Sequence, residues 1–236
     1  MKVTALRTRI FREGEDLPAF IRSNVRRLTE RSIVVVTSKI VALSEGRTAL
    51  VKSASEKDSL IKSESDFALK TKLVWLTIKD GMVMASAGID ESNADGKIIM
   101  LPKDSFRAAG ILRKKLQRVY KIRDLGVLIT DSRLFPLRAG VVGVALGYAG
   151  FKGLKDQRGK KDIFGRKLKM TKVDIADSLA TAAVLTMGEA AEKKPLAVIT
   201  DAPVEFTERV NRRELIIDIK EDLYQPLFAR AAKKKQ

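Results

Sequence analysis

The run SIVVVTS (Ser32–Ser38) narrows the fold more than any other segment of the chain. Its four consecutive β-branched apolar residues leave no polar face for water, so they predict a strand covered on both sides. Asp124–Thr130 repeats the pattern and stops directly at Asp131, and Pro195–Thr200 reads as a further buried strand. Covered strands need helices. Asp16 can cap one running through Arg27, with Leu17, Phe20, Ile21 and Val25 on one face. Glu56–Ala68 reads as a polar helix, Ser105–Tyr120 as a helix with a basic face, and Asp174–Met187 as a helix ended by Gly188.

Other segments read as strands: Lys2–Arg7, Ile98–Leu101 and Lys169–Val173, with Lys72–Lys79 and Met82–Ser86 flanking an Asp80–Gly81 hairpin turn. Ala87–Gly96 and Lys155–Lys167 read as irregular loops. The glycine-rich stretch Gly140–Gly153 is either tightly packed or close to a ligand. Helices alternating with hairpins predict an α+β (mixed α/β) fold of mixed sheets and flanking helices, not a doubly wound parallel sheet. Residues 1–228 are read as one domain or two interlocked lobes, and 229–236 as a basic tail, frayed or helical.

Two absences bound the chemistry. The chain has neither histidine nor cysteine, which excludes Ser–His–Asp and Cys–His catalysis and zinc sites of the usual nitrogen and sulfur ligands. A metal would have to be held by oxygen, which suits magnesium or manganese. The first residues become charged at once, without the apolar core of a secretory signal, and no apolar run nears the ~20 residues needed to span a bilayer. A cytoplasmic, non-membrane protein is expected. The net charge of +17 over 236 residues fits a solvated basic surface, polyanionic substrates or nucleic acid. Nucleic acid is the weakest of these, because the basic stretches lack interleaved aromatics and a recognised motif.

Candidate chemistry starts at strand ends. Asp90 follows a strand in a glycine-containing loop, and Asp131 sits at the mouth of a buried strand, where a carboxylate can hold a metal open to substrate. Taken singly, each reads more simply as a turn or capping residue. Trp75 reads as a core strand residue. Lys160, Lys161 and Arg166 read equally as anion-binding or solvated loop residues, and Asp156 and Asp162 as loop structure. Neither GxxxxGK[ST] nor GxGxxG is present, so a bound nucleotide would use neither common glycine cradle.

Five stretches carry a resemblance: VVVTSKIVALSEGR (Val34–Arg47), ASAGIDESNADG (Ala85–Gly96), GVLITDS (Gly126–Ser132), the long run Gly147–Lys193, and EDLY (Glu221–Tyr224). In this order they resemble the coenzyme F-420:L-glutamate ligase family and its chlamydial-type folate γ-glutamyl ligase relatives. The resemblance implies a γ-glutamyl ligase fold and a homodimer. It also implies amide formation between L-glutamate and an anionic carboxylate acceptor through an acyl phosphate, with GTP or ATP and two Mg2+ or Mn2+ sites. Carried over, it places metal ligands at Asp90, Asp131, Ser132 and Glu189. Nucleotide contacts fall at Ser38, Lys39, Asn93 and the Met187–Lys194 stretch, chiefly Met187, Gly188, Glu189 and Ala190. It names no catalytic base.

The chain departs from the family pattern at Arg7–Phe11, at Ala42–Leu43, where a lysine is common, and in RLFPLR (Arg133–Arg138). These changes touch nucleotide and acceptor binding and spare the acidic set. They imply a kept reaction with an altered acceptor, folate-like or F-420-like with a slight lean to folate. The alternative is a catalytically degenerate relative that binds nucleotide or nucleic acid.

Overall fold

A computed structural model describes residues 1–228; the expected basic tail lies outside them. In chain order the elements are β1 (Lys2–Leu6), α1 (Leu17–Asn24), β2 (Ser32–Thr37), α2 (Ser38–Ser44), β3 (Thr48–Ala49) and α3 (Ala54–Ser63). There follow β4 (Phe67–Lys70), β5 (Trp75–Lys79), β6 (Met82–Ala85), β7 (Ile98–Ile99), α4 (Ser105–Tyr120) and β8 (Leu125–Leu134). The chain continues through β9 (Val141–Ala149), β10 (Leu154–Asp156), β11 (Lys172–Asp174), α5 (Ile175–Met187) and β12 (Leu196–Thr200). Helices and mixed sheets thus bear out the α+β expectation.

The chain forms two compact units, one of Met1–Gly46 with Pro102–Glu214, the other of Arg47–Leu101 with the described residues 215–228. The first unit is built on a five-stranded sheet in the order β1-β12-β2-β8-β9, in which β2 and β8 are parallel and every other pair is antiparallel. Its central strands are the runs that the sequence marked as buried. Ile33 through Val36 and Val127 through Ile129 have no measurable exposure.

A bulge sets the faces of this sheet. Ile129 pairs with Gly147 but Thr130 pairs with Ala145, so one extra residue of β9 is taken up between them. Gly143 and Gly147 therefore face opposite sides despite their even spacing. A Cβ at Gly143 would lie 2.5 Å from the Ala180 carbonyl oxygen of α5, and one at Gly147 2.5 Å from the Phe106 nitrogen of α4. Glycine lets each helix pack directly on the strand backbone, α5 on one face and α4 on the other. Asp174 caps α5 by accepting from the Asp177 N–H at 2.9 Å, and Gly188 ends the helix as expected.

The second unit holds the three-stranded sheet β4-β5-β6 and the pair β3-β7. Its β5–β6 turn has Asp80 at φ 52° and Gly81 at φ 78°, the two left-handed residues that a two-residue hairpin of this type needs.

Several expected boundaries change. α1 ends at Asn24, short of Arg27, and α3 ends at Ser63, because Phe67–Lys70 is drawn into pairing with β5. β5 begins at Trp75 and not Lys72. Trp75 is half-buried; its Nε1 donates to Asp58 at 2.6 Å and the Lys62 and Lys70 ammonium groups stand over its ring. The Lys155–Lys167 loop belongs to a two-stranded ribbon begun by β10 and β11 and continued by a Lys161–Lys167 bridge. Gly140–Gly153 is mostly the long strand β9. β8 does not stop at Asp131 but runs on to Leu134, because β9 supplies partners as far as Val141.

Candidate active site

The parallel pair β2 and β8 ends asymmetrically. β2 pairs with β8 only as far as Thr37–Thr130 and then turns directly into α2, while β8 continues along β9. Asp131 is thus the first residue of β8 beyond the end of its parallel neighbour, beside the first residue of α2. Ser38, 4% exposed, donates its hydroxyl to Asp131 Oδ1 at 3.1 Å. Ligand sites in α/β sheets favour such carboxyl ends of adjacent parallel strands, where the backbone leaves room between diverging connections.

Strand alternation assigns the neighbours. Thr130 and Ser132 share the face of β8 covered by α5, and Asp131 and Arg133 share the other. The turn after α5 returns to this same edge: Ser132 donates to Glu189 Oε1 at 2.7 Å, and the Thr37 N–H donates to the Pro195 carbonyl at 3.1 Å. Within that turn Gly188 has φ 86° and its hydrogen faces Glu192, where a Cβ would lie 2.4 Å from the Glu192 carboxyl carbon. Glu192 in turn accepts from the Ala190 N–H at 2.8 Å. The Thr8 N–H donates to the Lys193 carbonyl at 2.9 Å, which ties the divergent Arg7–Phe11 segment to the same turn.

Of the site residues expected from sequence, Ser38, Lys39, Asp131, Ser132, Met187, Gly188, Glu189 and Ala190 therefore gather at one edge of the first unit. Lys39 is half-buried in the first turn of α2, Met187 is buried, and Glu189 is exposed.

Asp90 and Asn93 belong to the second unit. Asp90 is half-buried and forms an antiparallel bridge with Ile99 through bonds of 2.9 and 2.8 Å. Its carboxylate accepts from the Ser92 N–H at 2.6 Å and the Ser92 hydroxyl at 3.0 Å, the geometry of an aspartate-stabilised turn. Asn93 is exposed, in a left-handed conformation with φ 54°.

The donor set at the first unit's edge consists of oxygen alone: the carboxylates of Asp131 and Glu189 and the hydroxyls of Ser38 and Ser132. Thr130 adds a buried hydroxyl with no hydrogen-bond partner. Each pair, Asp131 with Ser38 and Glu189 with Ser132, offers oxygen alone, which suits a hard divalent cation. Among the described residues no three acidic side chains form a ready cluster around one point, so hydroxyl and substrate oxygens would have to complete the coordination.

Two features escaped the sequence reading. Arg133, only 8% exposed, forms an ion pair with Asp131 Oδ2 and donates to the Ser132 carbonyl at 2.8 Å. Extending strand alternation two residues past Asp131 would have found it. The second is a pair of acids at the start of α5. Burial pushes the Asp174 carboxyl up to about 6, and it also raises Asp177, against the pull of the Ala145 N–H, Asp174 and the Arg133 guanidinium. Asp177 accepts from that Ala145 N–H at 2.8 Å, and Thr181 donates to the Gly143 carbonyl at 2.7 Å. Polar side chains of α5 thus satisfy the outer edge of β9, the last strand of the sheet.

The family model described as F420-0:Gamma-glutamyl ligase matches residues 5–201. A coenzyme F420:L-glutamate ligase of Methanococcus maripaludis is 36% identical over 84% of this chain and 86% of its own length. The enzyme of the same name from Methanopyrus kandleri is 36% identical over 79% and 81%. That from Methanocaldococcus jannaschii is 32% identical over 95% and 97%. With the match spanning both strands of the site and the turn that carries Glu189, this chain belongs to the F420-0:gamma-glutamyl ligase family.

Proposed function

We propose that this chain joins L-glutamate by an amide bond to the carboxylate of an F-420-like acceptor, at the expense of GTP or ATP and with Mg2+ or Mn2+ at two sites. The observation that carries the reading is the meeting of Asp131 with Ser38, and of Ser132 with Glu189, at one sheet edge. The names of the related enzymes support an F-420-type acceptor over a folate-type one.

The reaction must bring two anions together. An acceptor carboxylate oxygen attacks the γ-phosphorus, the bond to the bridging oxygen breaks, and a nucleoside diphosphate leaves an acyl phosphate behind. The glutamate amine then forms the amide bond, releasing inorganic phosphate and its own proton. Divalent cations held at Asp131 and Glu189 would neutralise the phosphates and align the in-line attack. Ser38 fixes the carboxylate of Asp131, and Ser132 holds that of Glu189 towards the same edge. Lys39, half-buried beside Ser38, places a positive charge where phosphate oxygens would lie. The resemblance also assigns a metal contact to Asp90 and a nucleotide contact to Asn93, both in the second unit. A homodimer in the cytoplasm belongs to the same proposal; among the described residues no helix is long and apolar enough to cross a membrane.

The test incubates the protein with Mn2+, glutamate and GTP or ATP, and with deazaflavin or folate acceptors in separate arms. The expected product is the deazaflavin acceptor heavier by one glutamate residue. Extension of folate alone would reassign the acceptor. Nucleotide binding without any product would favour the catalytically degenerate alternative, and binding of neither nucleotide nor metal would remove the reading.

A further inference from the structure

We propose that Arg133 is a resident counter-ion of Asp131, a positioning residue whose charge opposes entry of a free divalent cation at this carboxylate. The inference rests on the ligase reading above, since it concerns the metal site proposed there.

Three observations lead to it. Asp131 and Arg133 are two residues apart on a strand, so their side chains leave the same face. The guanidinium is almost wholly buried and is anchored twice, on Asp131 Oδ2 and on the Ser132 carbonyl at 2.8 Å. The other oxygen of Asp131 takes the Ser38 hydroxyl. Both carboxylate oxygens are therefore engaged within the protein, one by a permanent positive charge. The planar fork of an arginine holds orientation as well as charge.

A divalent cation approaching Asp131 meets a guanidinium a few ångströms away. Partial burial weakens solvent screening, so the repulsion is stronger than between two exposed charges. The same contact keeps Asp131 aimed and compensated before the cation arrives. The triphosphate brings negative charge to the edge and offsets the arginine. Charge balance therefore favours joint arrival of metal and nucleotide over entry of the metal alone.

Calorimetric titration with MnCl2 alone, without nucleotide or acceptor, tests the idea on the full chain and its R133Q and R133K variants. R133Q is expected to bind Mn2+ about tenfold or more tightly than the unaltered protein. R133K, which keeps the charge, is expected to stay within about threefold of it. The added affinity must disappear in the double variant R133Q/D131N, which places the effect at this carboxylate. Unchanged or weaker Mn2+ binding by R133Q, with metal binding by the unaltered protein intact, would overturn the inference and leave the ligase reading standing. Absence of Mn2+ binding in every variant, with or without nucleotide, would overturn both.

Discussion

Ser38 and Asp131 stand 93 residues apart in the chain, and the Ser38 hydroxyl donates to the Asp131 carboxylate across 3.1 Å. The bond exists because β2 ends one residue before its parallel partner reaches Asp131, so the first residue of α2 is laid beside that carboxylate. Ser38 is buried, and its hydroxyl needs a partner as much as Asp131 needs fixing.

Replacing Ser38 by alanine should therefore cost the site more than the fold. A hydrogen bond to a charged group contributes about 1.5–3 kcal/mol, which corresponds to roughly a 10- to 150-fold loss of Mn2+ affinity if the whole contribution is felt at the metal. Calorimetry reads the affinity, and thermal denaturation should show a much smaller change. The opposite pattern, unchanged affinity with a large loss of stability, would make Ser38 a core residue only.

The close approach of α5 to β9 predicts a contrast between two glycines. Gly143→Ala places a Cβ 2.5 Å from the Ala180 carbonyl oxygen and 2.6 Å from Val184 Cβ, and should destabilise by about 1–3 kcal/mol through forced separation of helix and sheet. Gly110, inside α4, has open space around the same position. Its alanine variant should gain about 0.5–1 kcal/mol from reduced chain freedom and better helix propensity. Denaturant unfolding of the two variants checks both signs.

Asp174 supplies a pH-dependent prediction. Its folded-state pKa is raised to about 6, above the ordinary aspartate value near 3.9, so the folded protein holds this proton more tightly than the unfolded chain does. Stability from this group is complete below the ordinary value and is lost as pH rises through about 6. Asparagine caps a helix as well as aspartate does and carries no charge to bury. Asp174→Asn should raise the melting temperature by roughly 2–4 °C at pH 8, for a gain of about 1 kcal/mol, and leave it unchanged at pH 4. An equal shift at both pH values would show that charge burial is not the cause.

The parts of this fold legible in the sequence are those written in local pattern. The run Ile33–Val36 gave a buried strand, Asp80–Gly81 gave its hairpin, and Asp174 with Gly188 bracketed a helix correctly. What escaped depends on partners distant in the chain. β8 passes through Asp131 because Val141–Val144 pair with it, whereas the polar Asp–Ser–Arg sequence carries no apolar alternation to signal a strand. Phe67–Lys70 became a strand through pairing with β5, against the helical spacing around it. The same limit hid Arg133, whose role follows only once β8 is known to continue. The resemblance named Ser38, Asp131, Ser132 and Glu189 singly, and the hydrogen bonds from Ser38 to Asp131 and from Ser132 to Glu189 arise at the unequal ends of two parallel strands.

The most direct test of the account measures inorganic phosphate released from the nucleotide in the presence of Mn2+, glutamate and a deazaflavin acceptor, comparing the unaltered chain with Asp131→Asn. The substitution removes a ligand charge and little volume but takes the carboxylate from the buried Arg133 guanidinium, so the variant should stay folded at 25 °C, as read by circular dichroism, with a lowered melting temperature. It should also lose at least about a hundredfold in phosphate release, the ~3 kcal/mol scale of a lost electrostatic contact in the transition state. A folded Asp131→Asn protein that turns over at the rate of the unaltered chain would contradict the assignment of this sheet edge as the reaction centre.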